Sequence, residues 1–307
     1  MIKAGESPGM SPRDFSLMTL VCLIWAANTI VSKLVIANLE APPMFYAALR
    51  FAIVLAVVWP WLRNAPRPLW RMILVGLCMG CGTFALTFFA LKTASPSAVA
   101  IVSQLGVPVT AVLSWFLLGE RLDARRIAGT AMTLAGVVLV MWNPDGLHMS
   151  AGLLFVVASA VIGSFGAVLM KQIEGVKPLQ FQAWVGLTSV IPTLGYTLAF
   201  EGGQGAVIAA DPWIFGAALL FSGLISSVLA HTLYYTLIQR YEATLVSPLT
   251  LMTPIFTIAL GVIFTGDVVD LRMALGAALA MVGVLVIAFR FNQLARLVLL
   301  FGRGQGA

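Results

Sequence analysis

Charge is what this sequence has least of. Only 10% of its 307 residues are Asp, Glu, Lys or Arg, and just two are histidine. A soluble globular chain carries roughly a quarter charged residues, so 18 Lys+Arg and 12 Asp+Glu cannot furnish a water-facing surface for this length. The same scarcity excludes a disordered chain and a coiled coil. A surplus of +6 is also too thin for a nucleic-acid-binding surface; in a chain this apolar it sets orientation in a bilayer instead. Cysteine is scarce as well. Cys22, Cys78 and Cys81 all sit in apolar runs, and three is an odd number for a disulfide framework. Cys78 and Cys81 are spaced C-x-x-C, but without the βαβ context of a redox motif or a second ligand pair for zinc. They read as small helix-packing residues.

What remains is apolar. Hydrophobic residues make up 60% of the chain and the mean hydropathy is +0.99. A helix crossing a bilayer needs about 20 mostly apolar residues. Ten such runs are present: 15–37, 44–62, 69–91, 97–118, 126–142, 150–170, 179–200, 213–237, 244–265 and 273–291. Residues 1–14 are polar, and the first run is too long for the core of a signal peptide, so it is expected to stay as a span. The breaks between runs, such as Asn143-Pro144-Asp145-Gly146, are too short to hold an extramembrane domain. Lys and Arg fall unevenly on alternate breaks. One side holds fourteen (Lys3, Arg13, Arg63, Arg67, Arg71, Arg121, Arg125, Arg126, Lys171, Lys177, Arg240, Arg290, Arg296, Arg303), and the other only Lys92 and Arg272. That bias predicts cytoplasmic termini.

The chain also repeats. Gly119-Glu120, Gly129 and Gly136-Val137 recur as Gly266-Asp267, Gly276 and Gly283-Val284, at an offset of 147 throughout. Pro108 and Pro254 match at an offset of 146. Two halves of five spans follow, and because five is odd the second half must enter the membrane from the opposite side, an inverted repeat. The expected fold is an all-α polytopic membrane protein with ten transmembrane helices in two inverted five-helix repeats. Its parts are an N-terminal cytoplasmic segment (1–14), a first repeat (15–142), a second repeat (150–291) and a cytoplasmic tail (292–307).

The run Gly119-Glu120-Arg121-Leu122…Gly129…Gly136-Val137 resembles the signature of EamA-type permeases of the drug/metabolite transporter superfamily. Trp25-Ala26-Ala27-Asn28, with Lys33, Pro42 and Arg50 after it, is similar to the opening of that domain. The resemblance covers essentially the whole chain as two copies, the second departing with Asp267 for glutamate and Gly163 where a tryptophan would stand. It implies a ten-helix exporter of the bacterial inner membrane, similar to the aromatic amino-acid exporters, with spans five and ten as peripheral packing helices. Read physically, the motif is structural: Gly119 and Gly266 suit left-handed helix ends, and Asp123 and Asp270 suit N-caps. The glycines at seven-residue spacing suit close helix–helix approach.

A transport path needs small or polar side chains on shared helix faces. Trp25, Asn28 and Ser32 share one, and so do Gly76, Gly80, Thr83 and Thr87. Others are Gln104, Pro108, Ala111 and Trp115; Gly223, Ser227, Ala230 and Tyr234; and Ser247, Thr250, Pro254 and Thr257. Small residues are also ordinary membrane glue. Amides in lipid are costly, so Asn28 and Gln104 call for a partner or a wet cavity. Pro108 and Pro254 each free the carbonyl four residues earlier, at Gln104 and Thr250, and are candidate hinges. No Asp or Glu lies in the middle of a run, which disfavours a cation exporter relying on a buried carboxylate.

Lys33 and Arg50, the two cations left over from the count of the two sides, lie inside runs and point to an anionic group, although Lys33 could equally snorkel. His231 is the only histidine inside a run; a neutral structural ring is its commoner role, and a proton carrier the sharper one. The expected function is export of small amphipathic metabolites, first amino acids including aromatic ones, by alternating access. Lys33 or Arg50 would hold the carboxylate. Trp25, Asn28, Thr83, Thr87, Gln104, Trp115, Ser227, His231, Tyr234, Ser247 and Thr250 would line the path. An importer or exchanger of phosphorylated or nucleotide-linked solutes would want several cavity cations. A lipid-modifying membrane enzyme would want a nucleophile or metal cluster, and no His/Asp or Cys/His grouping of that kind is present. The expected partners are a small-molecule substrate and the lipid bilayer, with no nucleic acid, no cofactor and no metal. A monomer is expected, a dimer staying open.

Overall fold

The computed structural model describes residues 10–63, 65–120, 122–142, 151–241 and 243–288. Lys3, Arg121, Asn143 to Gly146, His148, Arg290, Arg296 and Arg303 lie outside the described residues, and so does the side chain of Ser247. Among those described the chain is helical throughout, with no strand. Among the described residues nine helices are long and apolar enough to cross a membrane: α1 (Pro12–Asn38), α2 (Pro43–Arg63), α3 (Leu69–Thr93), α4 (Pro96–Leu118), α5 (Ala124–Met141), α6 (Ala151–Met170), α7 (Pro178–Phe200), α8 (Pro212–Ile238) and α10 (Leu271–Ala288). Between the last two runs α9 (Pro248–Phe264), a shorter apolar helix. Helices predominate because lipid offers no partner to backbone N–H and C=O groups, and a helix pairs them internally.

Proline and aspartate set the starts. Ser11 Oγ accepts from Asp14 N ahead of Pro12, Asp123 caps Arg126 N, and Asp270 Oδ1 accepts from Met273 N at 2.7 Å. Gly119 and Gly266 end α4 and α9 at φ of +68° and +67°, a conformation that penalises any Cβ. Both candidate hinge prolines follow a narrowed 3-10 segment, Ser103–Leu105 before Pro108 and Ser247–Leu251 before Pro254. The tighter turns sit where each proline has removed a donor. Spans α3 and α8 share the opposite distortion, widened π-helical turns at Leu77–Gly82 and Phe221–Ala230. Adding 147 to the first interval gives 224–229, inside the second, so the repeat extends to backbone geometry.

The glycine stripes of α5 and α10 face each other. A Cβ on Gly129 would lie 2.6 Å from Gly283 O, and one on Gly136 would lie 2.5 Å from Ala280 N. Spans α3 and α7 pack just as closely, with Gly76 and Gly80 against the Thr188 and Ser189 hydroxyls. Carboxylates tie the helix ends together. Glu201 accepts from Met44 N and Phe45 N at 3.0 Å each, satisfying the exposed start of α2. Asp267 accepts from Ser97 N, and Glu120 pairs with Lys171 at 2.9 Å. Asp14 pairs with Arg240 at 3.0 Å and accepts from Tyr241 OH.

Candidate functional site

Arg50 lies in α2, about 10 Å along the helix from Pro43 at 1.5 Å per residue. Only 1% of its surface is exposed. Its Nε donates to Ser227 Oγ of α8 at 2.9 Å, and its guanidinium carbon stands 4.2 Å from the centroid of the Phe84 ring of α3. No carboxylate pairs with it, and its Nη1 has no hydrogen-bond partner among the described residues. A buried cation with an unsatisfied donor costs several kcal/mol, and the Phe84 contact offsets about 2 kcal/mol of that at most. Such an arrangement favours an anion at that nitrogen.

Ser227 and Phe84, the two side chains that Arg50 touches, line a cavity of about 70 Å³, of which Arg50 itself is not a lining residue. Phe51, Phe84, Phe181 and Tyr235 supply apolar walls, while Gln182, Ser227 and His231 supply polar groups. Ser227 and His231 are one helical turn apart on α8 and so share its face. The His231 Nδ1 lies 2.9 Å from the Ser226 carbonyl, which can only accept, so in the neutral ring Nε2 is left as an acceptor. Trp25 of α1 packs on His231 at 5.0 Å and on Tyr234 at 5.1 Å, and its indole Nε1 has no partner among the described residues. Gln182 Nε2 donates to Ser227 O at 2.8 Å. Behind this group, Ser222 Oγ donates to Asn28 Oδ1 at 2.7 Å and meets Tyr46 OH at 2.5 Å. Three spans, α1, α2 and α8, are thereby joined through buried polar groups.

Trp25, Asn28, Arg50, Ser227, His231 and Tyr234 are thus brought together, and the other sequence candidates are elsewhere. Lys33 Nζ donates to the carbonyls of Leu91 and Ala94, at 2.8 and 3.1 Å, and so closes the end of α3. It is neither snorkelling freely nor near Arg50's cavity. Thr87 Oγ1 meets Ser159 Oγ of α6 at 3.1 Å, a helix–helix contact, whereas Thr83 Oγ1 donates to Cys78 O within its own helix. Trp115 is 51% exposed and is not among the residues that line the cavity. Gln104 and Thr250 are half-buried, and the candidate hinges Pro108 and Pro254 are buried. Among the described residues no cluster of His, Cys, Asp or Glu could hold a metal ion.

The EamA-like transporter family model matches residues 15–142 and 150–289. The chain belongs to this family. The EamA-like chain is 29% identical over 293 residues to a probable amino-acid metabolite efflux pump of Salmonella typhimurium, covering 92% of this chain and 97% of that one. A protein of the same description from Escherichia coli is 27% identical over 290 residues, covering 91% and 96%. A crystal structure at 24% identity superposes with a TM-score of 0.57 over 90% of this chain and 96% of that one, a likeness of fold. This EamA-like protein is therefore a multi-span membrane transporter.

Sequence reasoning passed over Tyr46, Ser222 and Gln182. Gln182 could have been found, since an amide within an apolar run needs a partner as much as Asn28 does. Ser222 carried no such mark, because serine is common in packed membrane helices.

Proposed function

We propose that this EamA-like transporter exports small carboxylate-bearing amino-acid metabolites, aromatic ones included, across the bacterial inner membrane. The observation that carries this reading is Arg50: buried, without a carboxylate, and with Nη1 unpartnered beside an aromatic-walled cavity. The substrate carboxylate takes that nitrogen, and its side chain lies among Phe51, Phe84 and Phe181. The relatives described as amino-acid metabolite efflux pumps support the substrate class. A carrier of phosphorylated or nucleotide-linked solutes would need more buried cations than Arg50 offers, since Lys33 is engaged by carbonyls. The present cavity is too small for such a metabolite, so it belongs to an occluded form that must open. The paired breaks at Pro108 and Pro254 supply the hinges for alternating access, with both termini cytoplasmic.

Purified protein in liposomes tests this. Arg50→Ala should lower kcat/KM for an amino-acid substrate roughly ten- to a hundredfold, as expected for losing a charge-assisted hydrogen bond, and should affect the amide analogue far less. Equal losses for both would make Arg50 a structural residue and defeat the proposal.

A further inference from the structure

The Arg50 site has an electrical imbalance that narrows the substrate. Its cavity adjoins one cation and no anion. Each carboxylate among the described residues stands at or beyond a helix end, engaged with helix N-termini or surface cations where it has partners. Asp14 is held by Arg240, Glu201 by the start of α2 and Asp267 by Ser97. Glu6, Asp145 and Glu242 lie in the polar breaks of the sequence. The unpartnered polar atoms near the cavity include two groups that can only donate, Arg50 Nη1 and Trp25 Nε1. On α8 the neutral imidazole of His231 keeps Nε2 as an acceptor, and Trp25 packs against that ring at 5.0 Å.

We infer that the site selects amino-acid derivatives of net charge −1, such as N-acyl amino acids and 2-hydroxy acids, over the zwitterionic parents. This rests on the reading of Arg50 as the carboxylate anchor. A net-anionic ligand neutralises the buried guanidinium, and its acceptor oxygens answer the orphaned donors. Its single amide N–H or hydroxyl can be taken by a neutral acceptor such as His231 Nε2 or the Gln182 amide oxygen. A zwitterion carries the same carboxylate but brings an ammonium with three donors into a site without a counter-charge. Desolvating that ammonium cancels much of what the carboxylate contributes.

The test uses the full chain in proteoliposomes and four probes sharing one ring: phenylalanine, N-acetylphenylalanine, 3-phenyllactate and phenylalanine amide. The wild-type protein should transport N-acetylphenylalanine and 3-phenyllactate with kcat/KM at least about tenfold above phenylalanine, one charge-assisted interaction's worth, and should transport the cationic amide most slowly of the four. Arg50→Gln should collapse that ratio, while Arg50→Lys, which keeps the charge, should preserve its direction. The wild-type comparison needs no variant to fold. If phenylalanine matches or exceeds the anions while Arg50→Gln still impairs it, the charge selection is overturned and Arg50 keeps its role. If Arg50→Gln leaves transport of all probes unchanged, the anchor itself is overturned and this inference falls with it.

Discussion

At Ser222 one hydroxyl serves partners from two other spans. Its hydrogen goes to Asn28 Oδ1 at 2.7 Å, so at the 2.5 Å contact Tyr46 OH is the donor. All three residues are buried. Replacing the serine orphans Asn28 Oδ1 and leaves Tyr46 only a long contact to Ala218 O at 3.4 Å. Ser222→Ala should therefore cost about 1–3 kcal/mol, the desolvation penalty of unsatisfied groups. Tyr46→Phe leaves the serine–asparagine bond intact and should cost about 1 kcal/mol. Thermal unfolding in detergent should show the larger fall for Ser222→Ala; the reverse order would mean that Tyr46, not Ser222, organises the cluster. Asn28 and Arg50 stood out in the sequence because amides and guanidinium groups are conspicuous in apolar runs. Ser222 did not, since its importance comes from two neighbours 194 and 176 residues away.

At the scale of elements, glycine and the hairpin carboxylate carry the order. A Cβ on Gly136 would stand 2.5 Å from backbone atoms of Ala280 and Gly276, which cannot yield as a flexible side chain does. Gly136→Ala should force α5 from α10 and destabilise by about 1–3 kcal/mol, the usual range for overpacking. Gly195→Ala in α7, with nothing within 4 Å, should leave stability equal or slightly higher. Unfolding temperatures of the pair check this directly. Glu120, beyond the end of α4, has its carboxyl held below the ordinary 4.5 by the Lys171 hydrogen bond first; burial opposes this, and the charges of Lys171 and Arg126 add to the lowering. A depressed carboxylate stabilises fully above its unfolded pKa, and the contribution disappears as pH falls through the folded value. Stability should thus drop below about pH 4.5, and Glu120→Gln should flatten that acid limb. An unchanged limb would place the acid sensitivity at another carboxylate.

For the whole molecule, the strongest claim is the inversion of the two halves. The break after α2 and its counterpart after α7, one repeat later, must open on opposite sides of the membrane. Reporter fusions after Arg67 should read cytoplasmic and fusions after Glu201 external, with Lys171 siding with the first and Lys92 with the second. Two counterpart breaks on the same side would end both the inverted repeat and the reading of Pro108 and Pro254 as paired hinges. The matching π-helical turns of α3 and α8 belong to this scale too, because they stand at corresponding positions of the two repeats.

The sequence by itself determined the ten helical runs, the repeat and the bias in loop charge. Each rests on something local: about 20 apolar residues suffice to cross a bilayer whatever their neighbours, and turn glycines and caps act within a few residues. The nine long helices and the shorter α9 lie within a few residues of those runs. The rotation of each helix about its axis was decided by tertiary structure alone. A span that is apolar on nearly every face carries little hydrophobic asymmetry to say which side turns inward. Lys33 and Arg50 therefore both stood in the sequence as cations inside apolar runs that an anion could use, Arg50 the deeper and Lys33 able to snorkel. Only packing set the ammonium of Lys33 on two carbonyls of α3 and left Arg50 behind Ser227 with a donor to spare.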